Sequence, residues 1–442
     1  MEKINSIKLA EILEVSNNVV DADIYKVILN SKDADNSSLF VAIKGEHTDG
    51  HKFAAECIKN GCPLVVVDHY IDEIPENRQL VVEDTIKAYG KIGAYNRSLY
   101  KGTLIGITGS AGKTSTKEMV KLLLSEFGKT YATNNNQNNF IGVPLTLCNL
   151  DMDAEYAIVE MGTSSYGEIA YLTDLVKPDI ALITNIFPMH IEYFNSVEEI
   201  AQEKATIFKG LNGNKKIAII NEDSNCFDIL MNKARKYTDN ILCYGKNNQP
   251  NVDFSLCDDS EQYKYYAWCA LSIINSLGLD INKAAKKIAD FKPLIGRGKK
   301  HSLNIDNGKY TLIDDSYSGQ PASMILGIKS LDKQYCKGKK IAVIGKMSEL
   351  GKHSQQFHIE VGQELAKSSI NTVIGVCPET KDILEQLPNS MNKYYFENNE
   401  GLADFLLNEI IEEEDVVFIK GAHYSSRVFE VAEKLIETGA DK

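Results

Sequence analysis

Three features that would place a chain in a special class are missing from this sequence. Its nine cysteines include no C-x-x-C pair, so we expect reduced structural thiols and not a disulfide framework. No apolar run approaches the roughly 18 residues that cross a bilayer. The segment MEKINSIKLAEILEV contains no apolar core of the signal-peptide type. A basic surplus is also missing, because the net charge is -13, which argues against a nucleic-acid partner. We therefore expect a cytoplasmic protein without membrane insertion.

Short apolar runs are what the chain has instead, and each is followed by a polar or glycine-containing turn and a helix-like segment. The 442 residues, 43% of them hydrophobic and 25% charged, suit a globular protein of several domains. Apolar strands that alternate with helices indicate an α/β protein whose parallel sheets are covered on both faces. Ligands bind such sheets beyond the carboxyl ends of the strands, so the residues after each run are the candidates for a site. The runs are LFVAI (39–43), PLVVVD (63–68), TLIGIT (103–108), YAIVE (156–160), IALIT (180–184), KIAII (216–220), YTLID (310–314), KIAVIG (340–345), NTVIGV (371–376) and DVVFIK (415–420).

Two segments have the composition of linkers. YNRSLYKG (95–102) precedes a glycine-rich loop, and KPLIGRGKKH (292–301) carries a proline, two glycines and a cluster of charges. They predict domain boundaries near residues 98 and 298.

The glycine-rich loop in LIGITGSAGKTSTKEM (104–119) is the strongest chemical signal. Glycines let backbone N–H groups approach anionic oxygens, Lys113 adds a positive charge, and Thr114 offers a hydroxyl to a phosphate-bound Mg²⁺. The apolar spacing that follows predicts a helix whose N-terminus points at the phosphates. Ile107 stands where the six-residue P-loop pattern has glycine, so the match is to the shorter form G-x-x-G-K-T. The predicted phosphate contacts in this loop are Gly109, Ser110, Ala111, Gly112, Lys113, Thr114 and Ser115.

Four further residues are ambiguous when each is taken alone. Glu160 and Asp315 follow apolar runs, where a hard cation that bridges phosphates finds carboxylate oxygens, although isolated acids there are more often caps or solvated. His190 would ordinarily be structural, and Lys204 would ordinarily be a solvated helix lysine. Their order along the chain changes this interpretation.

The succession of motifs resembles the Mur ligase family over essentially the whole chain. After the glycine loop come VEMG, TNIFPMHIEYF, QEKATIF, GRGKKH and DDSYSGQP. Further stretches resemble, within that family, the ligases that add D-Ala-D-Ala to a UDP-N-acetylmuramoyl-tripeptide. They are LFVAIKGEHTDGHKFAAECIKNG (39–61), TNNNQNNFIGVPLTL (133–147), DDSYSGQPASM (314–324), IGKMSELGKHSQQFH (344–358) and FIKGAHYSSR (418–427).

The resemblance implies a three-domain α/β architecture. A small UDP-sugar-binding domain is expected over 1–98, and a central P-loop ATPase-like domain with a parallel sheet over 99–298. A Rossmann-like ligase domain, expected over 299–442, would close on ATP and bind the dipeptide. The implied reaction is ligation through an acyl phosphate in peptidoglycan precursor synthesis. The protein is expected to act as a monomer.

The resemblance also implies roles for single residues. Lys113, His190 and Lys204 are expected to be catalytic, and ATP is expected to contact Arg297 and Asp315 as well as the glycine loop. Two Mg²⁺ are expected, one held by Thr114 and Glu160 and the other by His190 and a carbamylated Lys204. The expected substrate contacts are Ser31, Lys32, Asn138 and Asn139.

The chain departs from the family pattern at a few of these places. Lys32 stands where the family tends to have arginine, and it lacks the planar fork that grips a diphosphate. Tyr266 occupies the position of a usual asparagine near the adenine, and Ser318 and Gln320 replace asparagines in the family's tyrosine–asparagine–alanine–asparagine–proline run. A tyrosine could stack on adenine where an amide would hydrogen-bond. These changes concern nucleotide affinity more than the type of reaction.

Two alternatives remain open at this point. One is a Mur-type ligase with another acceptor or amine, because a fold does not fix its substrate. The other is a nucleotide-binding switch or degenerate regulator, although the intact set of Lys113, Thr114, Glu160, His190 and Lys204 argues against a protein that only binds.

Overall fold

The computed structural model describes residues 1–16, 18–45, 47–213, 215–256, 261–306 and 308–440, and the chain divides into two units. Unit 1 comprises Met1–Thr184, Ala201–Asp253 and Trp268–Ala285. Unit 2 comprises Asn185–Ile200, Phe254–Ala267 and Lys286–Lys442. The three-domain division predicted from the sequence is finer than these two units, and its boundaries stay a prediction.

The N-terminal part of unit 1 contains a parallel sheet and a short antiparallel pair. The sheet has the order β3-β4-β5-β6, and β1 pairs with β2. The strands are β1 (Ile4–Asn5), β2 (Asp23–Ile24), β3 (Lys26–Ile28), β4 (Ser38–Val41), β5 (Leu64–Val67) and β6 (Gln79–Val81). The helices are α1 (Ser6–Leu13), α2 (Ala54–Lys59) and α3 (Thr85–Leu99).

Both faces of this sheet are covered, as its uninterrupted apolar strands predict. Leu39 and Val41 of β4 pack in one apolar cluster, whereas Phe40 between them packs in another. In β5, Leu64 and Val66 belong to the first cluster, and Val65 and Val67 belong to the second. Because successive side chains point to opposite faces of a strand, the two clusters are the two covered faces.

The second sheet of unit 1 is wholly parallel, with the order β12-β11-β10-β7-β9-β8. Its strands are β7 (Thr103–Thr108), β8 (Thr130–Ala132), β9 (Tyr156–Glu160), β10 (Ile180–Ile183), β11 (Ile217–Asn221) and β12 (Ile241–Tyr244). The helices from 113 to 285 are α4 (Lys113–Leu124), α5 (Gly142–Cys148), α6 (Glu168–Val176), α7 (Val197–Lys204), α8 (Phe227–Ala234), α9 (Glu261–Ser276) and α10 (Ile281–Ala285). The chain visits β8 and β9 on one side of β7 before crossing to β10 on the other, so β7 lies at the switch point where such sheets bind ligands.

The sheet of unit 2 is mixed, with the order β13-β14-β18-β15-β16-β17. Only the pair β13 and β14 is antiparallel, and the other described neighbours run parallel. The strands are β13 (Lys299–Ile305), β14 (Gly308–Asp315), β15 (Lys340–Gly345), β16 (Thr372–Val376), β17 (Asn392–Phe396) and β18 (Val416–Lys420). The helices are α11 (Pro321–Lys333), α12 (Ser354–Ala366), α13 (Lys381–Glu385), α14 (Leu402–Phe405), α15 (His423–Ser426) and α16 (Phe429–Gly439).

The α/β class is confirmed, and the two segments with linker composition lie partly in a helix and a strand, while the predicted boundaries stay a prediction. Most of 95–102 belongs to α3, because Asn96 is fully buried and its side chain donates to the carbonyl of Leu147 at 2.7 Å. The last residues of 292–301 begin β13, which is held by antiparallel pairing with β14. The eight described cysteines are free thiols, and Cys257 lies outside the described residues. Among the described residues no helix combines the length and apolar character that crossing a membrane requires.

Candidate active site

The glycine loop joins β7 to α4, as the sequence predicts. Gly112 immediately precedes α4 with φ of 74°, and no side chain caps the helix there. Gly109 has φ of 150°, and a Cβ at that position would overlap Oγ1 of Thr184. A larger residue at either glycine would therefore strain the loop. The twelve-residue helix α4 therefore begins directly at the loop without a side-chain cap, and a helix N-terminus placed in this way is suited to bind phosphate.

Lys113 begins this helix and lies folded back over the loop. Its Nζ donates to the carbonyl oxygen of Gly109 at 2.9 Å, and the residue is half-buried. Ser110, Thr114 and Ser115 are buried beside it. The loop therefore combines a positive charge, hydroxyls and backbone donors at the carboxyl end of the central strand.

Glu160 ends β9, next to β7, and its carboxylate is 1% exposed. Its Oε1 accepts from Nδ2 of Asn138 at 2.8 Å and from Oγ1 of Thr114 at 3.3 Å. Its Oε2 is buried and has no hydrogen-bond partner among the described residues. A buried carboxylate with an open oxygen, beside a hydroxyl, is the oxygen donor set that Mg²⁺ takes, so Thr114 and Glu160 fit such an ion.

Lys204 is the last residue of α7 and is 1% exposed. Burial and, second, the positive charge of Lys113 hold the pKa of Lys204 well below its usual range. Glu203 raises that pKa only in part, and its own carboxylate accepts from the backbone N–H groups of Gly167 and Ile169 at 2.9 and 2.8 Å. The environment of Lys204 therefore favours a neutral amine, whereas a solvated helix lysine would carry a charged ammonium group.

His190 belongs to unit 2 and has a partner that the sequence did not indicate. Its Nδ1 lies 2.5 Å from Oε2 of Glu349, and this contact holds the pKa of Glu349 below its usual range. Both residues have left-handed backbones, with φ of 53° at His190 and 59° at Glu349. Non-glycine residues rarely adopt that conformation, and strained backbone of this kind clusters at functional sites.

Arg297 and Asp315 lie near each other in unit 2. The Arg297 guanidinium is 4.1 Å from the ring centroid of Tyr317, and Asp315 accepts from Nζ of the buried Lys420 at 2.6 Å. Burial raises the pKa of Asp315, and the charges of Lys420 and Arg297 offset part of that rise. Lys420 is a residue that sequence reasoning missed. A lysine that ends the apolar run DVVFIK was the available signal.

The predicted substrate contacts lie in two separate loops of unit 1. Ser31 and Lys32 are part of a short 3₁₀ helix capped by Asn30, whose side chain accepts from the backbone of Lys32 at 3.1 Å. Asn139 caps the turn before α5 by accepting from Gly142 at 2.9 Å, and the amide of Asn138 donates to Glu160. Asn138 thus joins this loop to the carboxylate of Glu160, and the contact of Asn138 and Asn139 with a substrate stays a prediction.

The three positions that depart from the family pattern lie in unit 2. The Tyr266 ring packs edge-on against Tyr263, with centroids 5.8 Å apart. Oε1 of Gln320 is buried without a hydrogen-bond partner among the described residues, directly before α11. The backbone carbonyl of Ser318 accepts from the hydroxyl of Ser323 at 3.4 Å.

Comparisons with known proteins agree with the geometry of the loop. Residues 107–276 match the Mur ligase middle domain, and residues 302–423 match the Mur ligase, glutamate ligase domain. The UDP-N-acetylmuramoyl-tripeptide–D-alanyl-D-alanine ligase of Rickettsia prowazekii is 34% identical over 93% of this chain and 94% of that protein. The Escherichia coli protein of the same name is 29% identical over 98% of this chain and 99% of its own.

Solved structures are similar over the same length. A MurF crystal structure from Acinetobacter baumannii matches with a TM-score of 0.89 at 26% identity, and 99% of each chain is covered. MurF ligase from Thermotoga maritima, solved in complex with ADP, matches with a TM-score of 0.78 at 26% identity, over 93% of this chain and 96% of that one.

Proposed function

This chain belongs to the Mur ligase family, and we propose that it is the ligase that joins D-Ala-D-Ala to a UDP-N-acetylmuramoyl-tripeptide with ATP. The observation that carries the proposal is similarity along nearly the whole chain to ligases of that name, at 34% identity in one case. The site supports it chemically, because Lys113, Thr114 and Glu160 meet at the switch point of the parallel sheet of unit 1. A mere nucleotide binder would not need the additional buried Lys204.

The proposed reaction makes an amide from a carboxylate and an amine. ATP transfers its γ-phosphoryl group to the terminal carboxylate of the tripeptide, which gives an acyl phosphate and ADP. The dipeptide amine then attacks the acyl carbon, phosphate leaves, and the amine loses a proton. Lys113 and the N-terminus of α4 stabilise the negative charge of the transferring group. Arg297 and Asp315 are the proposed nucleotide contacts from unit 2. Ser31 and Lys32 are proposed to hold the uridine diphosphate, which positions the distant carboxylate.

Mg²⁺ is part of the proposal at two places. Thr114 and Glu160 would hold one ion, and His190 with carbamylated Lys204 would hold the other. Bound Mg²⁺ would neutralise charge on the phosphates. His190 carries out this role only if the imidazole nitrogen that binds the metal is unprotonated, and the Glu349 contact at Nδ1 leaves Nε2 for that purpose.

Carbamylation of Lys204 would turn a cation into an oxygen ligand. The neutral Nζ attacks the carbon of CO₂, an N–C bond forms, one C=O electron pair moves to oxygen, and the nitrogen releases a proton to solvent. Burial of Lys204 and the nearby positive charge of Lys113 support this step, because they favour the neutral amine that attacks. The negative carbamate would then compensate the charge of Lys113.

We expect a carbamate signal in the ¹³C NMR spectrum of the protein equilibrated with ¹³C-bicarbonate. The signal should vanish in Lys204→Ala and persist in Lys209→Ala, which removes a nearby exposed lysine that pairs with Asp174. A signal that survives in Lys204→Ala would assign the carbamate elsewhere. A spectrum of the wild-type protein without the signal, at saturating nucleotide and Mg²⁺, would reject the modification.

The proposed substrates are tested by crossing acceptors with amines. UDP-linked di-, tri- and tetrapeptides are each mixed with ATP, Mg²⁺ and D-Ala, D-Ala-D-Ala or L-amino acids, and phosphate and product mass are followed. We expect D-Ala-D-Ala with the tripeptide to exceed the other pairs in kcat/KM by about 100-fold or more, since a pocket that binds the dipeptide's charged ends leaves polar groups unpaired with a shorter amine. Efficient joining of L-amino acids without D-Ala-D-Ala would establish a Mur-type ligase of other specificity. Phosphate release with no acceptor dependence would indicate a nucleotide switch.

A further inference from the structure

Lys117 is a buried lysine that the proposed mechanism does not use. It lies one helical turn after Lys113 in α4, and its side chain is 0% exposed. Its Nζ donates to the carbonyl of Thr133 at 2.6 Å and to the carbonyl of Asn135 at 3.0 Å. Oε1 of Glu118 lies 3.2 Å away. Because burying an ammonium group is costly, a lysine held at this place by backbone carbonyls needs an explanation.

The carbonyls that Lys117 holds belong to the segment 133–139, which we call the asparagine loop. Asn135 has φ of 48°, so the loop includes a left-handed residue that is not glycine. The hydroxyl of Thr133 accepts from the backbone N–H of Glu160 at 3.0 Å. Farther along, the carbonyl of Asn138 accepts from the N–H of Gly162 at 2.8 Å, and its amide donates to Glu160. The loop is thus fixed at one end by Lys117 and along its length by the segment that contains Glu160.

Lys117 also acts on Glu160 directly. Its Nζ lies 3.9 Å from Oε2 of Glu160, the buried oxygen that has no hydrogen-bond partner among the described residues. The two atoms attract each other without a hydrogen bond, so the oxygen keeps its lone pairs for another ligand. One ammonium group therefore joins the phosphate-binding helix, the asparagine loop and the carboxylate of the site.

We propose that Lys117 is a positioning residue that keeps the asparagine loop in register with the phosphate-binding helix, so that the acceptor peptide is held against the nucleotide. The inference rests on the proposed function, because Asn138 and Asn139 are the proposed contacts of the acceptor. Removing Lys117 takes this donor from the buried carbonyl of Thr133 and from the carbonyl of Asn135, and frees a loop that has a left-handed residue. The glycine loop and Lys113 would remain intact. Acceptor binding should therefore suffer while nucleotide binding does not.

The test is Lys117→Met, which keeps much of the side-chain volume and removes the charge and the donors. We expect the KM for the UDP-linked tripeptide to rise about tenfold and kcat to fall, whereas the dissociation constant of ADP, measured by calorimetry, changes by less than about threefold. Lys121→Met is the matched control, because Lys121 lies one turn farther along α4 and is only half-buried. It should leave all these constants unchanged.

Calorimetry with the UDP-linked tripeptide alone separates the two hypotheses. A wild-type protein that does not bind the tripeptide contradicts the proposed function. Equal binding by wild type and Lys117→Met contradicts the role of Lys117.

Thermal unfolding shows whether Lys117→Met is folded at the assay temperature. If it is not, Lys117→Arg decides, since arginine keeps the charge and can donate to both carbonyls but is longer. We then expect a higher KM for the UDP-linked tripeptide together with unchanged ADP binding. Equal losses of acceptor and ADP binding in the folded variant would show that Lys117 only stabilises α4, and would overturn the proposal.

Discussion

Lys113→Ala is expected to reduce kcat/KM for ligation by about 10³-fold while the protein stays folded. The ammonium group is the positive charge that the glycine loop itself contributes, and its Nζ donates to the carbonyl of Gly109 in the same loop. Removing it takes charge stabilisation from the phosphoryl group and leaves the strands around it unchanged. The measurement is initial-rate kinetics of ADP formation with the UDP-linked tripeptide and D-Ala-D-Ala, accompanied by thermal unfolding.

Lys121→Ala is the control for this experiment, because it removes a lysine from the same helix at a distance of two turns. It should keep both turnover and melting temperature. Near-normal turnover in Lys113→Ala would remove Lys113 from the mechanism. A large fall in melting temperature would instead mean that the residue supports the loop, and the loss of activity would then say nothing about phosphoryl transfer.

The inner strands of the two six-stranded sheets could be predicted because each is a buried apolar run. TLIGIT and YAIVE coincide with β7 and β9, and KIAVIG coincides with β15. The strands that were missed are short or partly polar, such as β8 (Thr130–Ala132) and β17 (Asn392–Phe396), which form the ends of their sheets. An edge strand gains much of its stability from pairing with one neighbour, and that pairing leaves little trace in its own apolar pattern.

In the site too, features that depend on neighbouring residues could be predicted, and features that depend on residues distant in sequence could not. The glycine loop was predictable because strand, turn and helix signals follow one another within a few residues. The partners of the charged groups were not predictable, because Lys420 reaches Asp315 across 105 positions and the contact of His190 is with Glu349. Nothing in the sequence indicated a role for Lys117, since only the fold brings its Nζ to the carbonyls of the asparagine loop. Sequence motifs thus indicated the groups that would meet substrate more readily than the groups that hold them.

Glu160→Gln is expected to reduce kcat/KM by about 10²- to 10³-fold and to weaken the effect of Mg²⁺ on nucleotide binding. Glutamine keeps the shape of the side chain and can still accept from Asn138, but it removes the negative charge beside Thr114. Two titrations with ADP, one with Mg²⁺ and one with EDTA, measure how much Mg²⁺ tightens ADP binding, which activity alone cannot show. In the wild-type protein Mg²⁺ should tighten ADP binding, and in Glu160→Gln most of that gain should be lost.

The effect of Mg²⁺ on ADP binding should depend on a carboxylate buried next to Thr114, and not on negative charge elsewhere near the strand. Glu155→Gln is the matched control, because Glu155 is an exposed carboxylate immediately before the same strand, and it should keep the full effect of Mg²⁺. Since Lys117 lies 3.9 Å from Glu160, Glu160→Gln also leaves that ammonium group less compensated, and some loss of thermal stability is expected. Kinetics are therefore measured well below the melting temperature of the variant. An unchanged effect of Mg²⁺ on ADP binding in folded Glu160→Gln would place the metal on other ligands, whatever happens to turnover.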